Sequence, residues 1–296
     1  MTHPASLCTE SDGYVGRFAP SPTGKLHLGS LLAAVVSFLD ARANQGRWLL
    51  RIEDLDPPRS EIGATEAIIK TLSHHGLVWD GSIVYQSERL HLYQNALDRL
   101  STESLTFYCN CARKSYRSVY PGRCRGQVNE QPDSAIRIQV PATEVSFTDR
   151  VTGEFSQQLE RDVGDFVVKR RDGLFAYQLA VVTDDAEMGI THVVRGDDLL
   201  DNTPRQLYLL DQLGHVRPSY LHHPTVLTKT GDKLSKQTHA TPIDDHFAQQ
   251  NLITVFDLLG LAQPAGARHW PVTEILRWGA AHWRPQWHQI DRYIGL

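Results

Sequence analysis

Between Tyr14 and Ile52 the chain reads as strand, loop, helix, strand, and that order restricts its architecture more than any other feature. Tyr14 to Phe18 is a short apolar strand, and Ala19 to Gly24 is a loop of Pro, Gly and Ser. Leu26 to Ala43 carries helix-forming residues until Gly46 stops them, and Trp48 to Ile52 is a second buried strand. Two strands joined through a helix build a parallel sheet, whose ligand site lies at the carboxyl ends of its strands. The acidic cluster Glu53, Asp54, Asp56 follows at that end. The expected class is α/β, with a Rossmann-type parallel sheet.

Two more helical stretches follow, Ile62 to His75 and Arg89 to Leu100, before the character changes at Tyr108, where Cys, Arg and Tyr replace periodic apolar residues. Tyr108 to about Arg161 reads as an insertion. Within it Ile136, Ile138 and Val140 alternate with Arg137 and Gln139, which predicts a strand with Arg137 on a wet face. Phe166 to Val168, the Arg171-Asp172-Gly173 turn and Phe175 to Val182 read as a β-hairpin. Thr191 to Arg195 is a further strand, Thr203 to Leu213 a helix and Pro224 to Leu227 a last strand. Asp244 to Gly260 and Val272 to Tyr293 are expected to be helical.

A formal net charge of -4 argues against a uniformly basic nucleic-acid binder, so any RNA contact must use local patches. The polar first thirteen residues lack the apolar core of a signal peptide, and the most apolar run, Leu31 to Leu39, is far shorter than the roughly 18 residues that span a bilayer. A cytoplasmic protein with no membrane partner is expected, and a monomer. Three of the four cysteines crowd between Cys109 and Cys124 while Cys8 stands apart, which suits a metal site better than a disulfide framework.

The chemistry concentrates in two segments. In Arg17-Phe-Ala-Pro-Ser-Pro-Thr-Gly-Lys-Leu-His-Leu-Gly-Ser30, His27 and Gly29 sit where a loop enters a helix. Backbone N–H groups and the helix dipole there face an anion, and Gly29 lets a nucleotide approach closely. In Lys233-Leu-Ser-Lys-Gln237, lysines on a loop tipped by Gly231 have the charge to neutralise a departing pyrophosphate. Either segment alone is better explained by a helix cap or a solvated loop. Together they resemble the HIGH and KMSKS signatures of class I aminoacyl-tRNA synthetases. Arg17 to Ser21, Arg51-Ile-Glu-Asp-Leu-Asp56, Tyr177-Gln178 and Arg195-Gly-Asp-Asp198 are similar to the amino-acid pocket of the glutamyl branch. A glutamate pocket needs a cation for the side-chain carboxylate and an anion for the ammonium, which Arg195 or Arg17 and Glu53 have the charge to supply. Tyr177 adds a neutral donor and Ser21 a backbone or hydroxyl contact.

Cys109-x-Cys111 and Cys124 offer three thiolates, and no histidine lies between His91 and His192, so a fourth ligand is an oxygen, another thiol such as Cys8, or water. The Cys-x-Cys…Tyr-x-x-x-Cys pattern resembles the zinc site of glutamyl-queuosine tRNA(Asp) synthetases, and that resemblance implies Tyr120 as the fourth ligand. Arg113, Lys114, Arg117, Arg123 and Arg125 alternate with Tyr116 and Tyr120 around the cysteines, either to grip RNA and stack a base or as a solvated loop. Trp270, Trp278, Trp283 and Trp287 near the C-terminus read mainly as helix core.

The resemblance runs from Arg17 to about Ala240, and only residues 238–296 follow Gln237, where ordinary glutamyl-tRNA synthetases begin a long anticodon-binding region. It implies a class I catalytic domain in two halves, 14–107 and 162–240, with a zinc-bearing insertion at 108–161 and a short helical region at 241–296. The residues it implies for ATP are His27, Gly29, Ser30, Lys233 and Lys236, with His27 and Lys236 catalytic. For glutamate they are Arg17, Phe18, Ala19, Pro20, Ser21, Glu53, Tyr177 and Arg195, and for one structural zinc Cys109, Cys111, Tyr120 and Cys124. ATP with magnesium, glutamate and tRNA(Asp) bearing queuosine are the implied substrates. A short glutamyl-tRNA synthetase charging the acceptor end, and a non-catalytic zinc-bearing tRNA-binding module, are the alternatives.

Overall fold

A computed structural model describes residues 13–116, 119–130, 132–227 and 241–285. In chain order its elements are β1 (Val15–Phe18), α1 (Leu28–Ala43), β2 (Arg47–Ile52), α2 (Ala64–His74), β3 (Val84–Tyr85), α3 (Leu90–Thr102), β4 (Thr106–Cys109), β5 (Ala135–Ile138), β6 (Glu144–Asp149) and β7 (Gly153–Gln158). There follow α4 (Leu159–Asp162), β8 (Phe166–Lys169), α5 (Tyr177–Glu187), β9 (His192–Gly196), α6 (Thr203–Gln212), β10 (Ser219–His223), α7 (Ala248–Leu258) and α8 (Val272–Ala281). None of the described helices is long and apolar enough to cross a membrane. The chain divides into two compact units: Gln86–Gly189 with Asp201–Arg217, and the stretches up to Tyr85, Ile190–Leu200 and from Pro218 onward.

In the second of these, β1, β2 and β3 pair parallel in that order, with Phe18 beside Leu50, and β9 pairs parallel with β10. Val15 and Thr191 tie β1 to the start of β9 through Thr191 N–H to Val15 O at 3.0 Å and Val15 N–H to Thr191 Oγ1 at 2.8 Å. Leu31 and Leu39 of α1 pack with Trp48, Leu50 and Ile52 in a core closed to solvent, each side chain contributing about 1.5–3 kcal/mol by leaving water. The Trp48 indole N–H, unable to stay unpaired there, donates to Ser37 Oγ at 3.0 Å. Gly46 is fixed by crowding, since a Cβ at that position would lie 2.5 Å from the Tyr14 carbonyl oxygen.

The other unit holds the antiparallel sheet β4-β5-β8 and the β6-β7 hairpin, whose turn is capped by Asp149 Oδ1 accepting from Val151 N–H and Thr152 N–H at 2.9 Å. The expected hairpin after Phe166 is corrected here. Its turn forms and Phe175 bridges back to Lys169, but the returning arm stops there and Tyr177 begins α5. Val181, Val182 and Thr183 suggest a strand, yet every residue from Leu179 to Asp185 is buried, so this helix shows no amphipathic stripe. Among the described residues Pro224 to Val226 forms no strand, where a last strand over Pro224 to Leu227 is expected from the sequence. The last strand among the described residues is β10, one segment earlier, and Pro224, with no N–H to give, ends it. Helix α8 stops at Ala281 rather than running on, because Arg284 precedes Pro285 and the helical conformation is disfavoured before proline. Arg137 is not on a wet face: it is 6% exposed.

Candidate active site and metal centre

The first site forms around the carboxyl ends of β1, β2 and β9. Phe18 ends β1, and the loop from Ala19 to Leu26 is stitched to the segment after β2 by Glu53 N–H to Pro20 O at 3.0 Å and Glu61 N–H to Pro22 O at 2.9 Å. Thr23 N–H closes a tight turn on Ser21 O at 2.8 Å. The loop delivers His27 as the N-cap of α1. Its Nδ1 accepts from Ser30 N–H at 3.3 Å, which leaves the ring proton on Nε2, 2.9 Å from Ser30 Oγ. The first turn of α1, containing Gly29 and Ser30, holds no carboxylate, so its dipole is uncancelled and favours an anion. Pro242 pairs with His27 and Ile243 N–H donates to Leu26 O at 2.8 Å, so the chain returning from the second lysine segment is anchored on the first signature. Lys233 and Lys236 themselves lie outside the described residues, as do Cys8, Arg117 and Trp287.

Three buried guanidinium groups belong to this unit, on Arg17 of β1, Arg51 of β2 and Arg195 of β9. Arg17 Nη1 donates to Val194 O at 3.5 Å, which brings the first signature beside β9. Arg195 donates from Nε to His222 Nε2 at 3.0 Å and from Nη2 to Leu199 O at 3.3 Å, and stands 5.4 Å from the centre of the Tyr220 ring. Glu53 accepts from Arg51 Nη2 at 3.1 Å, which aims the carboxylate. Arg51 and His222 were missed as site residues. Arg51 stands in the quoted motif, but nothing in the sequence pairs it with Glu53, and His222 meets Arg195 only because β9 and β10 are neighbours. Tyr177 belongs to the other unit, where it is the partly exposed first residue of α5.

The second site begins where β4 ends at Cys109. The three thiol sulfurs of Cys109, Cys111 and Cys124 all lie within 4.8 Å of one another, with Cys111 and Cys124 at 3.5 Å. Tyr120 Oη lies 3.4 Å from Cys109 Sγ and 4.0 Å from Cys111 Sγ, and accepts from Cys124 N–H at 2.9 Å. Ligands about 2.3 Å from a tetrahedral zinc stand roughly 3.8 Å apart, so these four atoms fit that ion. Gly164 permits the arrangement: with φ at +71°, a Cβ there would meet the Tyr120 carbonyl oxygen at 2.7 Å. Burial works against a Cys109 thiolate, but the Tyr120 hydroxyl, the Cys111 backbone and the Arg137 guanidinium bring its pKa down to about 7. Burial, then Cys124 and Cys109, push the Cys111 thiol up, and burial followed by Cys109 and Cys124 raises the Tyr120 phenol. The groups resist ionising together without a cation among them, as a metal site should.

The basic and aromatic residues around the cysteines separate into two sets. Arg113, Lys114 and Arg123 are exposed, while Tyr120 is 4% exposed and so has no face to stack a base. Arg125 forms ion pairs with Asp165 and Glu160. Trp283 is core, as read from the sequence, and donates to Asp40 Oδ1 at 2.8 Å, while Trp270 and Trp278 are half-buried.

The profile of the tRNA synthetases class I (E and Q), catalytic domain, matches residues 14–265. A Glutamyl-Q tRNA(Asp) synthetase of Pseudomonas fluorescens is 52% identical over 276 residues, 92% of this chain and 93% of that protein. One of Pseudomonas putida is 49% identical over 292 residues and covers 95% of both. Among solved structures, a glutamate tRNA ligase of Elizabethkingia meningosepticum in complex with its amino acid superposes with a TM-score of 0.75 at 24% identity, over 90% of this chain but 64% of that one. Glutamate-tRNA synthetase of Elizabethkingia anophelis gives 0.79 at 22% identity, over 96% and 68%. At such identities these two speak for the fold.

Proposed function

Because the chain belongs to the class I tRNA synthetases of the glutamate and glutamine family and is an enzyme of the ligase type, we propose that it activates glutamate with ATP, without needing tRNA for that step. It then transfers the glutamyl group to queuosine at position 34 of tRNA(Asp). The observation that carries this reading is His27, held by Ser30 at the N-terminus of α1 beside the stitched loop that leads from Arg17 to Glu53. Identity near 50% to relatives bearing the glutamyl-Q name, over more than nine-tenths of their length, supports the choice of acceptor.

In the first step an α-carboxylate oxygen of glutamate attacks the α-phosphorus of ATP in line and pyrophosphate departs with its magnesium. His27 Nε2–H donates to the α-phosphate as charge builds, while the first turn of α1 at Gly29 and Ser30 holds the nucleotide. Lys233 and Lys236 neutralise the pyrophosphate. Arg195 or Arg17 binds the side-chain carboxylate, Glu53 the ammonium, and Ser21 and the Phe18-Ala19-Pro20 backbone complete the pocket. In the second step a hydroxyl of the queuosine cyclopentene-diol attacks the acyl carbon, and AMP leaves with the mixed-anhydride oxygen. Zinc held by Cys109, Cys111, Tyr120 and Cys124 would fix the loop between β4 and β5 and take no part in either step.

The test is incorporation of radiolabelled glutamate, with ATP and magnesium, into tRNA(Asp) with and without queuosine and into tRNA(Glu). Label on the queuosine-bearing tRNA alone is expected. Label at the acceptor end of tRNA(Glu) would replace this reading with a short conventional synthetase, and no label with any tRNA, together with no pyrophosphate exchange, with a binding module.

A further inference from the structure

Arg137 is a buried cation whose hydrogen bonds, among the described residues, go to neutral oxygens. Its Nη1 donates to the Asp165 carbonyl oxygen at 2.8 Å and its Nη2 to Tyr116 Oη at 2.7 Å, and no acceptor among the described residues reaches its Nε. The nearest carboxylate in that network, on Asp165, is held by Arg125 through two nitrogens. No carboxylate among the described residues forms an ion pair with Arg137. Its guanidinium carbon instead stands 4.1 Å from the centre of the Tyr120 ring and 5.5 Å from that of Tyr116. Two neutral hydrogen bonds and the ring contacts, the latter about 2 kcal/mol when desolvated, fall short of the several kcal/mol that removing a charge from water costs. A fold that keeps this arrangement needs a negative charge in contact with it.

The cysteine cluster supplies that charge in full when it binds a metal. A divalent ion with three thiolates has one net negative charge, and a phenolate as fourth ligand adds another. Tyr120 joins the two, its ring centre 4.1 Å from the guanidinium carbon and its hydroxyl oxygen 3.4 Å from Cys109 Sγ. An anionic centre and an unanswered cation thus share one buried cluster, each relieving the burial cost of the other.

Resting on the reading of this cluster as a metal site, we propose that Arg137 is its positioning and charge-balancing residue. As a permanent cation locked over Tyr120, it sets the affinity for a thiophilic divalent ion without being a ligand. Binding releases the thiol protons to solvent, and the guanidinium fork keeps the Tyr120 oxygen and the Cys109 sulfur facing the ion.

The test uses the full chain, as purified and after metal removal, in wild-type, Arg137→Met and Arg137→Lys forms. Zinc is titrated against a chromophoric chelator, cobalt(II) is substituted to read the thiolate charge-transfer band, and the thermal midpoint is taken with and without zinc. Wild-type protein is expected to bind one zinc. Arg137→Met should bind it about 10- to 100-fold more weakly, with Arg137→Lys between the two. Without metal, Arg137→Met should melt at or above the wild-type temperature, because an uncompensated buried charge has gone; with zinc it should melt below. A simple packing role would lower both midpoints alike, and that result, or unchanged zinc affinity in Arg137→Met, overturns the proposal. Absence of stoichiometric zinc or a cobalt-thiolate band in the wild type overturns the metal reading itself.

Discussion

Arg125 grips the Asp165 carboxylate with two nitrogens, Nε at 2.8 Å and Nη2 at 2.7 Å. Asp165 Oδ1 also accepts the Val140 N–H at 3.0 Å, so this carboxylate, shut from solvent, joins the cysteine loop, the end of β5 and the start of β8. Arg125→Ala would strand a buried charge. Because the arginine is partly solvated, the loss should fall below the 3–5 kcal/mol typical of broken buried pairs, at about 2 kcal/mol. Urea denaturation of the two proteins checks this, and an unchanged midpoint would reduce the pair to ornament.

His75 makes a second buried arrangement with a direction in pH. Its Nδ1–H donates to the Thr71 carbonyl at 2.7 Å, and its Nε2 faces the Asn251 amide nitrogen at 3.0 Å, an arrangement that suits only a neutral ring. Burial lowers its pKa below 6.5, against the Thr71 carbonyl and the Asp245 carboxylate, which favour the proton, while His74 adds to the lowering. The unfolded chain therefore binds this proton first as pH falls. Stability from this group is complete above about pH 6.5 and drains below it toward the folded pKa, by at most about 1.4 kcal/mol per pH unit. His223, buried at the end of β10 with its pKa also lowered by burial, acts in the same sense. Denaturation between pH 5 and 8 should show a shallower acid loss for His75→Gln than for wild type.

What was legible in the sequence had its cause nearby. The β1-loop-α1-β2 unit showed because proline and glycine punctuate apolar runs, and His27 showed because capping is decided within three residues. The cysteines showed by spacing alone. Arg137 was misread because alternation reports which side of a strand a residue occupies, not what covers that side, and here Tyr116 and Tyr120 cover it. The partner of Arg125 was hidden for the same reason, since Asp165 comes from a different strand region. Helix α5 was hidden because burial on all sides erases the period on which a helix is recognised.

His27→Ala should slow tRNA-independent pyrophosphate exchange by about 100-fold, the scale of one lost donor to a developing charge. The cap it also removes should cost only about 1 kcal/mol of stability. The two effects separate by comparing exchange rate with thermal midpoint. An enzyme that exchanges normally after this change would move the phosphate contact to another group.

The Arg195 guanidinium owes its aim to His222, which accepts its Nε–H at 3.0 Å on a strand one place away. Replacing His222 with leucine removes that acceptor while leaving the charge of Arg195 in place. A bond to a charged donor is worth about 1.5–3 kcal/mol, so the KM for glutamate should rise at least about tenfold, with the KM for ATP nearly unchanged. Arg195→Lys should do at least as much harm, because an ammonium lacks the fork that serves a histidine and a carboxylate at once. Steady-state exchange measured against each substrate separately decides the matter. Equal rises in both constants would mean that His222 supports the fold, and a change confined to ATP would move Arg195 from the amino-acid pocket to the nucleotide.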